Sequence, residues 1–94
     1  MITVAAPSQA QGAATVIIYG ASWCGPCHQA ADYLKQKGIR YVLKDIEAEP
    51  DAQREMQAKL AKAGRRGGSI PVIDVRGRLL VGFSARAIDE ALGR

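Results

Sequence analysis

The chain has 94 residues, a formal net charge of +4 and 48% hydrophobic residues. This length allows one domain with one modest core, and 23% charged residues is the balance of a globular protein rather than a disordered or fibrous one. The basic residues are interrupted by acidic ones and accompany no nucleic-acid recognition motif, so they indicate a solvated surface. No apolar run approaches the roughly 18 residues that a membrane-spanning helix needs.

The first fourteen residues differ in composition from the rest. They are dominated by Ala, Pro, Ser, Gln and Gly, and they lack the charged start and apolar centre of a secretory signal. We predict a flexible tail or linker over residues 1–14 and one folded domain over residues 15–94. We expect a cytoplasmic protein; the same tail also fits a domain of a longer or exported protein.

The first predicted elements are a strand, a helix and a second strand. The β-branched and aromatic run Thr15–Tyr19 ends at Gly20 and predicts a buried strand. Apolar residues then recur at helical spacing over Cys27–Leu34, and Gly38 stands where a helix commonly ends. A second strand pattern lies within Ile39–Ile46.

A second helix and a hairpin follow. The helix is predicted over Asp51–Ala63, with Gly64 as its end. Its predicted inner face consists of Ala52, Met56, Leu60 and Ala63. Two short strands, Ile70–Val75 and Arg78–Val81, are separated by the dipeptide Arg-Gly, which indicates a tight hairpin because Gly tolerates positive φ.

The last predicted element is a helix capped by Ser84. Its predicted buried residues are Ala87, Ile88, Ala91 and Leu92. The order strand, helix, strand, helix, hairpin, helix packs most simply as a parallel βαβ unit joined to an antiparallel hairpin. The sequence therefore predicts a three-layer α/β fold in which a four-stranded mixed sheet carries three helices.

The two cysteines, Cys24 and Cys27, point to redox chemistry. A bridge over so short a loop stabilises a fold very little, and the pair lies between a predicted strand and a predicted helix, the setting of a redox motif. At a helix start the N–H groups and the macrodipole favour a thiolate, so Cys24 is the predicted nucleophile and Cys27 the resolving thiol. A structural zinc site is disfavoured, because it needs four Cys or His ligands and the chain has two Cys and one His.

The segment Tyr19–Cys27, YGASWCGPC, resembles the active-site stretch of thioredoxins, in which a Trp precedes Cys-Gly-Pro-Cys. Residues 15–92 as a whole resemble glutaredoxins and their short relatives, and Gly68–Ile73 is similar to their Thr-Val-Pro segment. The resemblance implies a thioredoxin-like fold of glutaredoxin type and a thiol–disulfide oxidoreductase. It also implies that Trp23 lies half-exposed over the thiols and that Gly25 and Pro26 belong to the motif.

The same resemblance implies a substrate site beside the cysteines. In the superfamily the proline before the third strand is cis, so Pro71 is expected to be cis and the Ile70 backbone to pair with an extended substrate. The backbone of Gly82 and Phe83, just before the cap at Ser84, is a candidate for receiving a ligand carboxylate at a helix start.

Two departures from the families bear on proton transfer and on the electron source. Ile18 stands where thioredoxins carry a buried Asp, so proton transfer would use water or the partner. The segment Gly82–Ala85 lacks the Asp with which glutaredoxins bind glutathione carboxylates, and its Gly-Phe pair resembles glutaredoxin-like donors reduced by thioredoxin reductase. Glutathione is the expected co-substrate, and thioredoxin reductase is the alternative electron source.

The expected partners are disulfide-containing proteins, without nucleic acid or membrane, and the protein is expected to be a monomer with no tightly bound cofactor and no metal. An iron–sulfur module, held between two subunits by the first cysteine and glutathione, is a further alternative that Pro26 disfavours. Tyr19 fits a core role and a site role equally well. His28 is expected to be exposed and passive, and Arg65 and Arg66 to be solvated rather than ligand-binding.

Overall fold

The structure is a computed structural model that describes residues 15–65 and 69–93. Its elements are β1 Val16–Gly20, α1 Gly25–Gln36, β2 Tyr41–Asp45, α2 Pro50–Lys62, β3 Val72–Val75, β4 Arg78–Val81 and α3 Ala85–Leu92. The predicted order of elements is confirmed. The predicted tail, residues 1–14, lies outside the described residues, as do Arg66 and Gly68. Within the described ranges, no helix is long and apolar enough to cross a membrane.

The four strands form one mixed sheet in the order β2-β1-β3-β4. Strands β1 and β2 are parallel, with Val16 opposite Tyr41, whereas β3 is antiparallel to both β1 and β4. The helices pack on both faces of this sheet, α1 and α3 on one and α2 on the other. The predicted parallel unit joined to a hairpin in a three-layer fold is therefore confirmed.

Helix α1 covers the centre of the sheet. Its buried residues are Cys27, Ala30, Ala31 and Leu34, which are the positions predicted from helical spacing. Ala30, Ala31 and Leu34 pack against Val16 and Ile18 of β1, whereas Cys27 belongs to a separate cluster near the start of the helix. The helix ends before Gly38, whose φ of +72° is the left-handed conformation that favours glycine. One end of α1 thus lies above the end of β1, where the cysteines are.

Two predictions of burial are corrected by the structure. Ala63 is exposed, because α2 ends at Lys62 and Ala63 is only its C-cap residue. In α3, Ile88 is buried while Ala87, Ala91 and Leu92 are half-buried, because this eight-residue helix follows edge strand β4. The second strand, Tyr41–Asp45, lies within the predicted range Ile39–Ile46, and its central residues are partly exposed because β2 is the other edge strand.

The predicted hairpin is confirmed. Arg76 and Gly77 have φ of +54° and +98°, and two positive φ values in a two-residue loop match the twist of the flanking strands. Asp74 Oδ1 accepts a hydrogen bond from the Gly77 N–H at 2.7 Å and closes the turn. Strand β3 begins at Val72, two residues later than predicted, and the preceding Pro71 has no N–H to donate to a ladder.

Candidate active site

Cys24 and Cys27 form a disulfide across the first turn of α1, with their Cα atoms 5.3 Å apart. Cys24 is the N-cap residue of the helix, and its Sγ accepts a hydrogen bond from the Cys27 N–H at 3.2 Å. Helix N-caps normally use a side-chain oxygen for this bond. A sulfur in that position receives the N–H and the positive end of the helix dipole, and both favour a thiolate once the disulfide is reduced.

Both cysteines are well covered in this disulfide form. Cys27 is fully buried and Cys24 is only 3% exposed. They form a small cluster with Ala21, and the half-buried Ile70 packs against it. The difference in burial between the two cysteines therefore has the direction that the sequence predicts, but it is small. A reductant has to reach Cys24 past its neighbours in the chain.

Gly20, the last residue of β1, lies directly beneath Cys27. A methyl group on its Cα would be 2.5 Å from Cys27 Sγ and 2.9 Å from Cys27 Cβ. Favourable contacts between carbon atoms begin at about 3.5 Å, so any side chain here would displace Cys27. The sequence pattern predicted Gly20 only as the end of a strand. A sequence signal for its close contact with Cys27 does exist: a glycine ends a buried strand just before the cysteine motif.

The Ile70–Pro71 peptide is cis, as the resemblance implies. Pro71 is buried, and Ile70 contacts the cysteine cluster. The Pro71 carbonyl accepts a hydrogen bond from the Gly82 N–H at 2.7 Å, which brings the end of β4 to the same part of the molecule. Three predicted site residues, Ile70, Pro71 and Gly82, therefore lie together near the start of β3. Of these, Ile70 contacts the cysteine cluster directly.

Trp23, immediately before Cys24, is 67% exposed. Its Nε1–H donates a hydrogen bond to Glu47 Oε1 at 2.9 Å. Glu47 follows β2 in a turn where Asp45 Oδ1 accepts the N–H groups of Glu47 and Ala48. Trp23 is therefore a surface side chain fixed at its tip, not a core residue. The sequence reading missed Glu47, because nothing local links a residue after β2 with the cysteine motif.

His28 is exposed, as expected, and its ring has a hydrogen-bond partner. Its Nε2–H donates to the Ser22 carbonyl at 2.8 Å. This bond joins the first turn of α1 to the turn that precedes Cys24. Gly25 and Pro26 are exposed between the cysteines, and Pro26 stands in the first turn of the helix, where its missing N–H costs nothing.

The side chain of Phe83 points to the core. Its ring packs edge-on against Tyr33, with ring centroids 6.0 Å apart, and anchors α3 against α1. Ser84 Oγ accepts a hydrogen bond from the Ala87 N–H at 3.2 Å and so serves as the predicted cap. A ligand-binding role for the backbone of Gly82 and Phe83 stays a prediction.

Tyr19 belongs to a polar network beneath α2. It is buried, and its hydroxyl donates a hydrogen bond to the Glu55 carboxylate. Glu55 also accepts from Lys44 Nζ at 2.9 Å, and Lys59 lies over the Tyr19 ring while pairing with Asp74 at 2.7 Å. Burial, with the hydrogen bond to Glu55, raises the pKa of Tyr19 well above its usual value. Hydrogen bonds from Tyr19 and Lys44 lower the pKa of Glu55.

Arg65 is exposed and donates a hydrogen bond to the Leu79 carbonyl at 2.9 Å, so it fastens the loop after α2 to β4. Arg66 lies outside the described residues. Over residues 15–65 and 69–93, no group of three or more His, Cys, Asp or Glu side chains is arranged to hold a metal ion.

Comparison with known proteins identifies a matching family and a relative of this chain. The family model described as Glutaredoxin matches residues 16–80. A glutaredoxin-like 8.6 kDa protein of the rubredoxin operon of Clostridium pasteurianum, described as uncharacterized, is 29% identical over 75 residues, covering 80% of this chain and 93% of that protein.

Solved structures agree on the fold. A glutaredoxin from Archaeoglobus fulgidus superimposes with a TM-score of 0.69 at 23% identity, covering 87% of this chain and 89% of that one. NrdH-redoxin from Escherichia coli superimposes with a TM-score of 0.65 at 21% identity, covering 81% and 92%. The fold is that of thioredoxins and glutaredoxins, and the chain, with its Cys-x-x-Cys pair, belongs to the glutaredoxin family.

Proposed function

We propose that the protein reduces disulfides of protein substrates, or mixed disulfides with glutathione, through the dithiol of Cys24 and Cys27. The observation that carries the proposal is the cysteine pair across the first turn of α1, with the Cys27 N–H directed at Cys24 Sγ. Membership of the glutaredoxin family supports a thiol–disulfide redox function. The placement of Cys24 at the N-cap supports its role as the nucleophile.

The reaction has two exchange steps. In the first, the Cys24 thiolate attacks one sulfur of the substrate disulfide, that S–S bond breaks, and the departing substrate thiolate takes up a proton. In the second, Cys27 gives up its proton and attacks Cys24 Sγ, and the bond between Cys24 and the substrate breaks. The substrate gains two electrons and two protons in total. The protein is left with the Cys24–Cys27 disulfide, which is the form seen here.

The proton of Cys27 has to leave a fully buried position. Ile18 is buried in the apolar core, where thioredoxins carry a carboxyl group, and the cluster around Cys27 is made of Ala21, Cys24 and Ile70. The departing substrate thiolate is the base that the second step itself generates. Proton transfer from Cys27 to that thiolate, directly or through water, completes the step.

The second candidate function is that of a thioredoxin-like electron donor reduced by thioredoxin reductase. The segment after β4 favours it, because Ser84 Oγ is engaged as the cap of α3 and no Asp stands within Gly82–Ala85 to meet a glutathione carboxylate. The similarly folded NrdH-redoxin of E. coli is described as having a thioredoxin-like activity profile. The two candidates share the cysteine chemistry and differ in the protein or thiol that returns the electrons.

NADPH consumption by the purified protein separates the candidates. Glutathione with glutathione reductase is compared with thioredoxin reductase, on one disulfide-containing protein and one glutathionylated peptide. Turnover with glutathione supports the first candidate, and turnover only with thioredoxin reductase supports the second. Absence of turnover with both sources would contradict both.

Two matched variants test the roles of the cysteines. Cys24→Ser should abolish turnover from either source, because no other thiolate can make the first attack. Cys27→Ser should keep glutathione-dependent reduction of the glutathionylated peptide and lose reduction of the protein disulfide. Turnover that survives in Cys24→Ser would refute the assignment of the nucleophile.

A further inference from the structure

Strand β2 is an edge of the sheet whose outer backbone groups can be assigned. In the part of the chain that the structure describes, β1 is the only strand that pairs with it. The Val16 N–H donates to the Arg40 carbonyl, and the Ile46 N–H donates to the Gly20 carbonyl. Because backbone groups alternate in direction along a strand, the even-numbered residues of β2 face β1. The N–H and C=O groups of Tyr41 and Leu43 therefore point outward, as does the Asp45 N–H, whereas the Asp45 C=O accepts a hydrogen bond from the Glu49 N–H at 2.9 Å.

The charged side chains of β2 do not guard this edge. Natural edge strands are commonly protected from pairing by charged side chains, lysine above all. Here Lys44 Nζ is held 2.9 Å from the Glu55 carboxylate of α2, and Asp45 Oδ1 is occupied by backbone N–H groups of the following turn. Earlier in the same strand, Val42 and Leu43 are 44% and 37% exposed. The edge thus offers outward backbone groups beside exposed apolar side chains.

We propose that this edge pairs with β2 of a second copy of the chain, antiparallel and with a two-fold axis at Leu43. In this register Leu43 lies opposite Leu43 of the second copy, and Tyr41 lies opposite the second copy's Asp45. Leu43 then forms a hydrogen-bonded pair with Leu43 of the second copy, and the Asp45 N–H can donate to the Tyr41 carbonyl of the second copy. Centring the axis on Val42 would put Arg40 opposite Lys44 of the second copy, and centring it on Lys44 would put Lys44 opposite its own copy, so both registers place like charges opposite one another. The charges along the strand therefore select the register.

The charges at the two ends of β2 favour the same arrangement. Lys35 and Arg40 line a groove with Tyr41 at the start of the strand, whereas Glu47 and Glu49 follow its end. Antiparallel pairing brings the basic end of each copy to the acidic end of the other, and two-fold symmetry makes this contact twice. A parallel second copy would bring ends of like charge together. The strand is thus complementary to its own inverted copy.

The interface is small, so the association should be weak and sensitive to salt. One five-residue edge strand per copy falls below the size of stable dimer interfaces. Its attraction between exposed charges is screened at high ionic strength. Sedimentation velocity on the full chain, from micromolar to millimolar concentration, should show the mean mass rising from one chain toward two at low salt and less at high salt. A single-chain mass throughout would overturn the proposal.

Charge substitutions on the axis give a sharper test. Leu43→Lys and Leu43→Glu each place like charges directly opposite one another, so each variant alone should dimerise about tenfold more weakly. An equimolar mixture places opposite charges there and should regain association. Val81→Lys is the matched control, because Val81 is also 37% exposed but lies on the opposite edge strand. It should associate like the unchanged chain.

Each remaining outcome counts against the proposal. If the mixture associates no better than its components, Leu43 is not on a two-fold axis. If Val81→Lys weakens association as much as Leu43→Lys, the interface lies elsewhere. If the Leu43 amide is protected from hydrogen exchange at concentrations where the chain is monomeric, this edge is covered by residues of its own chain. Far-UV circular dichroism verifies that each variant is folded before the masses are compared.

Discussion

The two faces of the sheet are stabilised by different chemistry. Beneath α1 and α3 lies an apolar core made of Val16, Ile18, Ala30, Ala31, Leu34, Ile39, Ile73, Val75 and Ile88. Beneath α2 the buried cluster is smaller, and it is bordered by ion pairs from Glu55 to Lys44 and from Lys59 to Asp74. One face therefore depends mainly on the removal of apolar surface from water, and the other depends in part on charge.

The cysteines belong to the apolar face. Cys27 continues the buried stripe of α1, and Gly20 of β1 lies beneath it. The ionisable network around Tyr19 and Glu55 lies on the other side of the sheet. Helix geometry and close packing should therefore govern the thiol chemistry, while the network should govern how stability varies with pH. Substitutions on the two faces can separate these effects.

The largest effect is expected from Leu34→Ala, in the centre of the apolar face. Leu34 is fully buried, and truncating a buried Leu removes apolar contacts and leaves a cavity. We expect the free energy of unfolding to fall by about 3 kcal/mol in urea denaturation. Asp32→Ala, an exposed position on the same helix, is the control and should change it by less than about 0.5 kcal/mol. A loss below about 1 kcal/mol in Leu34→Ala would mean that this face is not the stronger one.

The next largest effect is expected from Gly20→Ala, which should change both the packing around Cys27 and the rate of its thiol chemistry. The added methyl group would be 2.5 Å from Cys27 Sγ, so Cys27 must move. Overpacking of this kind costs about 1–3 kcal/mol of stability. The displaced Cys27 should also resolve a mixed disulfide more slowly, whereas alkylation of Cys24 in the reduced protein should keep its rate. Stopped-flow measurement of single-turnover resolution tests this.

Val16→Ala provides the matched control for Gly20→Ala. Val16 is buried in the same strand but packs in the apolar core, away from the cysteine cluster, so its truncation lowers stability without moving Cys27. Resolution should then remain at the rate of the unchanged protein. Equal slowing in both variants would show that lost stability, rather than the displaced sulfur, causes the effect.

Features carried by local pattern could be predicted from the sequence. The stripe from Cys27 to Leu34, the Arg76–Gly77 hairpin and the Ser84 cap each depend on residues close together in the chain, and each is confirmed. The cysteine motif belongs to the same class, because two residues at the start of one helix define it. Local spacing was sufficient for the fold and for the position of the cysteine pair at the start of α1.

Features that depend on distant partners could not be predicted in this way. The acceptor of Trp23 is Glu47, and the acceptor of Tyr19 is Glu55, in each case a carboxylate from another element. Exposure of Val42 follows from the position of β2 at the sheet edge, which the pattern of a single strand does not reveal. The steric limit at Gly20 likewise arises only when α1 packs onto β1.

A smaller effect is expected from Glu55→Gln, on the charged face. The lowered pKa of Glu55 means that its carboxylate stabilises the fold above the ordinary Glu pKa, and that this contribution is lost as pH falls through the lowered value. Because Glu55 is 37% exposed, we expect a loss of about 1 kcal/mol at pH 7 and little difference near pH 2. Urea denaturation at the two pH values measures this.

Glu49→Gln is the control, since Glu49 is exposed and precedes the same helix. Its substitution should change the free energy of unfolding at pH 7 by less than about 0.5 kcal/mol. The rate of disulfide reduction at neutral pH should be the same in Glu55→Gln as in the unchanged protein. A slower rate would break the proposed separation of the two faces, because a charge beneath α2 would then act on thiols beneath α1.

The smallest effect on stability is expected at the contact between Trp23 and Glu47, which lies at the thiol end of the molecule. Both side chains are exposed, so Glu47→Ala should change the free energy of unfolding by less than about 0.5 kcal/mol. It removes the acceptor of the indole N–H, however, and the ring should become more mobile and more accessible to acrylamide. Trp23 is the single Trp of the chain, so its fluorescence reports this directly. Glu47→Gln keeps an acceptor oxygen and should keep the original quenching, and unchanged quenching in Glu47→Ala would show that packing alone holds the ring.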